Sequence, residues 1–397
     1  MIAKGDYIVE NIDYLGDYIM ENIDCLGYDD ISLVPQFSPL KGRSDCDTSI
    51  EINGDKYDLP LAIAPMITIT TPEMIYCCWK NNIMTTLHRY FETAKHQYDY
   101  IYLGLGDVLS RNDEKLQQLY NYQTNNVIDF PMLNAKIQEI IKTIYFAIGG
   151  IKKYKAWIDF LIEKGVTRFC VDFAHGDSQE CIDTCAYLKN INPDFKIIAG
   201  NYVNYNAILH NKYVDIYRMG VSCGACCTTA RNTGFGLPTL SSVLDCNNRQ
   251  DEIIMADGGI KVNGDIAKAM AVGADIVMIG YLLAGSSCAG GASLGSDYHL
   301  MHCNEPNYNP AYKEYSGMAS KRAKSTINLK GSIEGVSGLV PYTGLTQEVI
   351  DNIRENLKSA LAYCGAKNWK EFYQKIEWVR ISNNAFLEGK SRLKNEQ

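Results

Sequence analysis

Residues 214–236 read VDIYRMGVSCGACCTTARNTGFG. The first seven, closing on Gly220, read as a strand, one of eight of which several are continuous apolar runs as expected of strands buried on both faces. A glycine-dense loop follows. Gly220 and Gly224 frame it, the adjacent cysteines Cys226 and Cys227 sit inside it, and Thr228, Thr229 and a Thr-Gly-x-Gly complete it. Glycine tolerates positive φ, so such a loop folds back tightly. It can present one thiol and one hydroxyl to a ligand, and its free carbonyls can hold a cation. Cys227 with a hydroxyl two residues on, at Thr229, suits nucleophilic catalysis. The competing reading makes Cys226 and Cys227 small buried hydrophobes, the usual fate of a free cysteine. The glycine density, the threonine pair and the position after a strand favour the catalytic reading.

Outward from this stretch, seven more strands are expected, at 61–65, 83–87, 145–149, 168–174, 197–200, 252–257 and 275–280. Amphipathic segments separate them. In residues 152–165, Tyr154, Trp157, Ile158, Leu161 and Ile162 follow the helical spacing and Gly165 stops the run. Ile266, Ala267, Met270 and Ala271 do the same in residues 264–273. Eight strand–helix alternations predict an α/β fold, a (β/α)8 TIM barrel. Asp172, Gly200-Asn201, the Cys227 loop, Asp257-Gly258-Gly259 and Gly280 fall at the C-terminal ends of these strands. That is where barrel active sites lie. Gly258, Gly259 and Gly280 end two adjacent strands, and the backbone N–H groups freed there suit a phosphate. A simple turn is the alternative reading of Gly258-Gly259.

The 397 residues are 46% apolar and carry a net charge of −8, which argues against a nucleic-acid surface. No apolar stretch is long enough to span a membrane, and the acidic N-terminus does not read as a signal peptide. The 14 cysteines are therefore expected as reduced thiols in a cytoplasmic protein. Cys223-x-x-Cys226 has no second half, so neither zinc nor redox chemistry is expected there. Residues 6–16 (DYIVENIDYLG) recur as 17–27 (DYIMENIDCLG), so residues 1–27 read as a duplicated extension. The barrel is expected over 28–380, with an extended crossover at 93–143, a flap region at 315–345 and a tail at 381–397. The crossover holds the polar run QQLYNYQTNN and a helical pattern near 135–144.

The loop motif, Gly220-x-x-x-Gly224-x-x-Cys227-Thr228-Thr229 followed by Thr-Gly-x-Gly, resembles the active-site loop of the IMP dehydrogenase / GMP reductase family. The resemblance runs from about Tyr28 to about Phe372 through several motifs in the family's order. It implies that Cys227 adds to C2 of a purine nucleotide, GMP or IMP, and that Thr229 and Glu334 manage the proton on a leaving ammonia. It implies that Asp257 binds the ribose hydroxyls. Gly258, Gly259, Gly280, Tyr281 and the Met318-Ala319-Ser320 segment would bind phosphate and base. Arg89, Asp172 and Ala174 would face the cofactor, NADPH. A monovalent cation, K+ or Na+, would sit on the carbonyls of Gly220, Gly224 and Cys227, in a homotetramer.

Within the family the chain is most similar to GMP reductases. Dehydrogenases carry a long flap with an Arg-Tyr pair that activates water, and only fourteen steps separate Ser320 from Glu334, without that pair; Arg322 stands too early. Ala174-His175-Gly176 and Pro341-Tyr342-x-Gly344 look more like a dehydrogenase. The chain departs from the family pattern at Ile67, Arg89, Tyr281, Cys288, Ala292 and Gly331, where aspartate, lysine, a small residue, two glutamates and an arginine are usual. A dehydrogenase with a shortened flap, or a barrel that binds nucleotide without turnover or takes a modified purine, are the alternatives.

Overall fold

Each of the eight apolar runs becomes a strand, and all pair in parallel. They are β1 Leu61–Ile63, β2 Thr85–Leu87, β3 Ile144–Ile148, β4 Arg168–Asp172, β5 Lys196–Tyr202, β6 Ile216–Met219, β7 Ile253–Asp257 and β8 Ile276–Ile279. In this computed structural model residues 25–112, 130–302, 308–326 and 333–391 are described. The repeat, apart from residues 25–27, and the QQLYNYQTNN run lie outside the described residues. β8 pairs with β1 through Val277↔Leu61, and Ala62 bridges Met84 just before β2, so the sheet closes on itself. The result is a (β/α)8 barrel.

Side chains alternate across the wall, as the two-residue period of a strand demands. In β3, Tyr145 and Ala147 point into the barrel, while Ile144, Phe146 and Ile148 pack outward against helices. In β8, Ile276 and Met278 point in, and Val277 and Ile279 point out. The same alternation in β6 sends Ile216 inward and Tyr217 and Met219 outward, so Arg218 lies on the inner face. Among the described residues, the long crossover between β2 and β3 contains two helices, Ala94–Asn112 and Phe130–Ile141. The second starts earlier than the expected pattern.

Different devices close the two ends. At the N-terminal end a hairpin, Ile50–Ile52 with Asp55–Tyr57, inserts Ile52 and Tyr57 into the inner core. Asp55 of this hairpin pairs with Arg168 and Lys196 at the bases of β4 and β5. At the C-terminal end a four-stranded antiparallel sheet rises over the barrel, with Tyr312–Ser316 paired to Ser337–Pro341. Before the barrel, Ile31–Val34 pairs with Glu377–Arg380, and the short helix Asn383–Glu388 follows. Among the described residues no helix is long and apolar enough to cross a membrane.

Candidate active site

The loop after β6 turns on Gly220, whose φ is 123°. A Cβ there would meet the Asp257 carbonyl at 2.2 Å, so only glycine lets β6 and β7 approach this closely. The loop then doubles back, with the Cys227 N–H donating to the Gly224 carbonyl at 2.8 Å. It ends in a single helical turn, Thr229–Thr233.

The overlying segment is stitched to this loop by backbone. Thr228 N donates to the Glu334 carbonyl at 2.9 Å, and Val336 N donates to the Cys226 carbonyl at 2.9 Å. Gly335 bridges both Cys227 and Ser320. A Cβ on Gly335 would stand 3.0 Å from Ser320 N and 3.2 Å from the Cys226 carbonyl oxygen. This stitching brings together three side chains far apart in sequence. The Cys227 thiol donates to Thr229 Oγ1 at 3.3 Å, and the Thr229 hydroxyl donates to Glu334 Oε2 at 2.9 Å. The line runs from a thiol through a hydroxyl to a carboxylate, a path along which a proton can move. The neighbouring thiols are differently placed. Burial pushes Cys226 up to about 11, and it also raises Cys223, so both stay protonated near neutral pH. Their sulfurs face different carbonyls, Tyr315 and Leu237. Among the described residues no group of His, Cys, Asp and Glu could hold a metal ion.

A second cluster forms the floor. The Arg218 guanidinium is buried between two carboxylates: Nη2 bonds Asp172, and Nε lies 3.5 Å from Asp257 Oδ2. Arg89 Nε reaches the other Asp172 oxygen at 3.2 Å. Asn201 links the cluster, accepting from Arg218 at 2.8 Å and donating to Asp257 at 2.8 Å. Burial raises Asp172, but the adjoining Arg218 and Arg89 charges outweigh it and hold the carboxyl below its ordinary value. Asp257 goes the other way: burial raises it, and Arg218 and Asn201 offset only part of that.

Both clusters open onto one cavity of about 300 Å³. That is at the small end of ligand pockets. Of the residues expected in the site, Cys227, Thr229, Glu334, Asp172, Ala174, Asp257, Gly258, Gly259, Gly280, Tyr281, Met318 and Ala319 line it, together with Gly220 and Gly224. Arg89 and Ser320 do not line it; each is one contact removed. Ser320 is buried behind Gly335, and its hydroxyl accepts from Ala323 N. Arg322 is committed to Glu314 of the overlying sheet. The Gly220 carbonyl accepts Asn201 Nδ2 at 2.6 Å, which uses one of its two lone pairs. Tyr281 stands edge-on to Tyr315, whose hydroxyl reaches Met66 Sδ at 3.6 Å. Asn201 was expected only through its place at the end of its strand, and Arg218, Tyr315 and Met66 were not among the expected site residues. The available signal for Arg218 was its parity with Ile216 in a strand buried on both faces.

A family model, "IMP dehydrogenase / GMP reductase domain", matches residues 25–392. The chain belongs to the IMP dehydrogenase / GMP reductase family. Relatives in this family include the GMP reductase of Oenococcus oeni, 29% identical over 362 residues, covering 90% of this chain and 97% of the relative. The GMP reductase of Bacillus licheniformis is 29% identical over 365 residues, with the same coverage of both chains. The inosine-5'-monophosphate dehydrogenase of Chlorobaculum parvum is 34% identical over 250 residues, which is 58% of this chain and 48% of that enzyme. The IMP dehydrogenase / GMP reductase family acts on purine nucleotides by oxidation and reduction at the base, and the Cys227 loop and the Asp257 floor face the same cavity in this member of it.

Proposed function

We propose that this protein is a GMP reductase, converting GMP to IMP and ammonia at the expense of NADPH. The observation that carries the proposal is the Cys227–Thr229–Glu334 line, in which a carboxylate reaches the nucleophile's neighbour through one hydroxyl. Cys227 adds to purine C2, and its proton passes along Thr229 toward Glu334. The same pair returns a proton to the 2-amino group, which leaves as ammonia. A thioimidate between Cys227 and C2 remains. NADPH, when bound, supplies the hydride that C2 then receives, and Cys227 departs as thiolate. Asp257 holds the ribose hydroxyls, aimed by Asn201 and Arg218. Gly258, Gly259, Gly280, the Tyr281 N–H and the Met318–Ser320 segment take the phosphate and the base edge.

In this reading the cofactor lies outward from the nucleotide, past Ala174 and Asp172, with Arg89 behind. Asp172 keeps a second lone pair on each oxygen despite its two guanidinium partners. The Cys227 carbonyl suits a K+ or Na+ ion, and Gly220 and Gly224, whose carbonyls each accept one hydrogen bond, have one lone pair left for it. The reading includes a homotetramer and a cytoplasmic location.

The span from Ser320 to Glu334 supports reduction over dehydrogenation, because it has no Arg-Tyr pair to activate water. A dehydrogenase lacking one would form the covalent adduct and stall. The test is steady-state turnover of the purified full chain in both directions, with products identified. IMP and ammonia from GMP and NADPH are expected. Sustained xanthosine monophosphate from IMP and NAD, without ammonia from GMP, would replace the proposal by the dehydrogenase. Tight nucleotide binding with neither product would replace it by the binding barrel.

A further inference from the structure

Glu334 stands on a segment that crosses the Cys227 loop, and its carboxylate has to be aimed at Thr229 from there. One side chain outside the cavity contributes to that aim. Asn232 lies in the helical turn Thr229–Thr233, three residues after Thr229 and so on the same face. Its Nδ2 donates to the Ile333 carbonyl at 2.8 Å and to Thr228 Oγ1 at 3.2 Å. A carbonyl only accepts, so the amide nitrogen is the atom that faces Ile333. The Ile333 carbonyl and the Glu334 N–H belong to one planar peptide unit. Asn232 holds the oxygen of that unit, and Glu334 N donates to the Ala319 carbonyl at 3.2 Å. The next peptide unit is held through the Glu334 carbonyl, which accepts from Thr228 N at 2.9 Å. With both planes fixed, the direction in which the Glu334 side chain leaves the backbone is fixed too. The turn that carries Asn232 is itself braced. Ala230 N donates to Ser222 Oγ at 2.6 Å, Thr233 Oγ1 donates to the Thr229 carbonyl at 2.7 Å, and Gly234 ends the turn at a φ of 81°. One turn therefore grips the covering segment twice: Thr229 takes the Glu334 carboxylate, and Asn232 takes the carbonyl just before it. Asn232 is exposed and does not line the cavity.

We propose that Asn232 is a positioning residue for Glu334, keeping its carboxylate on the Thr229 hydroxyl. The role rests on the reductase reading, in which Glu334 receives a proton from Cys227 by way of Thr229 and returns one to the leaving 2-amino group. Without the Asn232 donor, the peptide before Glu334 is held from one side only, and the carboxylate spends part of its time away from Thr229. Nucleotide binding does not draw on this bond, because the reading gives the ribose to Asp257 and the phosphate to the glycine turns. The loss therefore falls on proton transfer and spares affinity. Aspartate at this position is worse than alanine: its carboxylate has no hydrogen to donate and sets a negative charge against the Ile333 carbonyl oxygen.

The test measures the single-turnover rate of ammonia release from GMP with saturating NADPH, and GMP affinity by calorimetry, in the full chain and its variants. Asn232→Ala should slow ammonia release about 3–10-fold, the range that one hydrogen bond allows, with Kd for GMP unchanged. Asn232→Asp should slow it further. Placed in the Glu334→Gln background, Asn232→Ala should cost nothing more, because the group that it aims has lost its charge and its role. Circular dichroism and denaturant unfolding check that each variant is folded. Wild-type ammonia release in Asn232→Ala, a loss that appears in Kd instead, or the same fall in both backgrounds would overturn the positioning role and leave the reductase reading standing. No ammonia from GMP with the wild-type chain would overturn both.

Discussion

The barrel carries acid–base clusters at both ends, and they are built to different rules. At the closed N-terminal end one carboxylate, Asp55, receives two cations, Arg168 and Lys196. Burial would raise Asp55, but the hydrogen bonds and charges of its two partners outweigh this and set its carboxyl below the ordinary range. At the open end Arg218 serves two carboxylates and Asn201 spans the gap. There Asp172 is held low and Asp257 is left high. At the closed end the carboxylate is saturated by its two cations. The open end leaves one carboxylate underpaired, facing a cavity. A group in that state gains from a ligand that donates hydrogen bonds, and perturbed groups of this kind gather at functional sites.

If the open end is the reactive one, its thiol should dominate every other substitution. Cys227→Ser is expected to lower GMP turnover at least ~10⁴-fold, with nucleotide affinity kept, read by steady-state kinetics and calorimetry. Loss of activity in Cys226→Ser with Cys227→Ser still active would move the nucleophile by one residue. Arg218→Met removes the shared cation and leaves two carboxylates facing each other in the barrel mouth. Breaking a buried pair from one side costs about 3–5 kcal/mol, so denaturant unfolding should show a loss of that order. Glu334→Gln interrupts proton transfer without emptying the cavity. Turnover should fall by ~10²–10⁴-fold with little change in nucleotide Kd. Normal turnover in this variant would take Glu334 out of the chemistry.

The finest test exchanges the two ends. Asp257→Asn should weaken nucleotide binding by about 1.5–3 kcal/mol while raising Tm at neutral pH. Asp55→Asn should leave binding unchanged and lower stability by about 1 kcal/mol. The signs follow from linkage. Asp55 has a lowered folded value, so its contribution is complete above the ordinary carboxylate range and fades as pH falls through that lowered value. Asp257 has a raised folded value, so its contribution is present below the ordinary range and fades as pH rises through the raised value. Thermal melts of the two variants against pH should therefore diverge from the wild type in opposite directions. Parallel shifts would mean that the two ends are alike.

The strands were legible because each is a short apolar run between glycines and amphipathic helices, and a wall buried on both faces demands such runs. Their ends shifted where a residue keeps the apolar pattern but leaves the ladder: the run at 168–174 pairs only to Asp172, after which the chain turns into the mouth. The thiol, the hydroxyl and the carboxylate could be named from motifs, because the resemblance supplied their order. Nothing in spacing alone joins Thr229 to Glu334 across 105 residues. Arg218 was missed for a different reason. A cation in an apolar strand reads as an edge or surface position, and only the register places it inward, opposite carboxylates from β4 and β7. Tyr315 and Met66 were unreadable because they meet the site through packing.

Gly335 has a consequence for anyone recasting this enzyme. Its backbone is the seam between the Cys227 loop and the covering segment, and a Cβ there would crowd the backbone of Ser320 at 3.0 Å and of Cys226 at 3.2 Å. The two pieces are therefore not separable modules. A longer strap from a dehydrogenase, grafted between Ser320 and Glu334 to bring in a water-activating pair, would have to re-enter at Gly335 in the same register. A slip of one residue there would swing the carboxylate to the far face and unfasten the loop that carries the thiol.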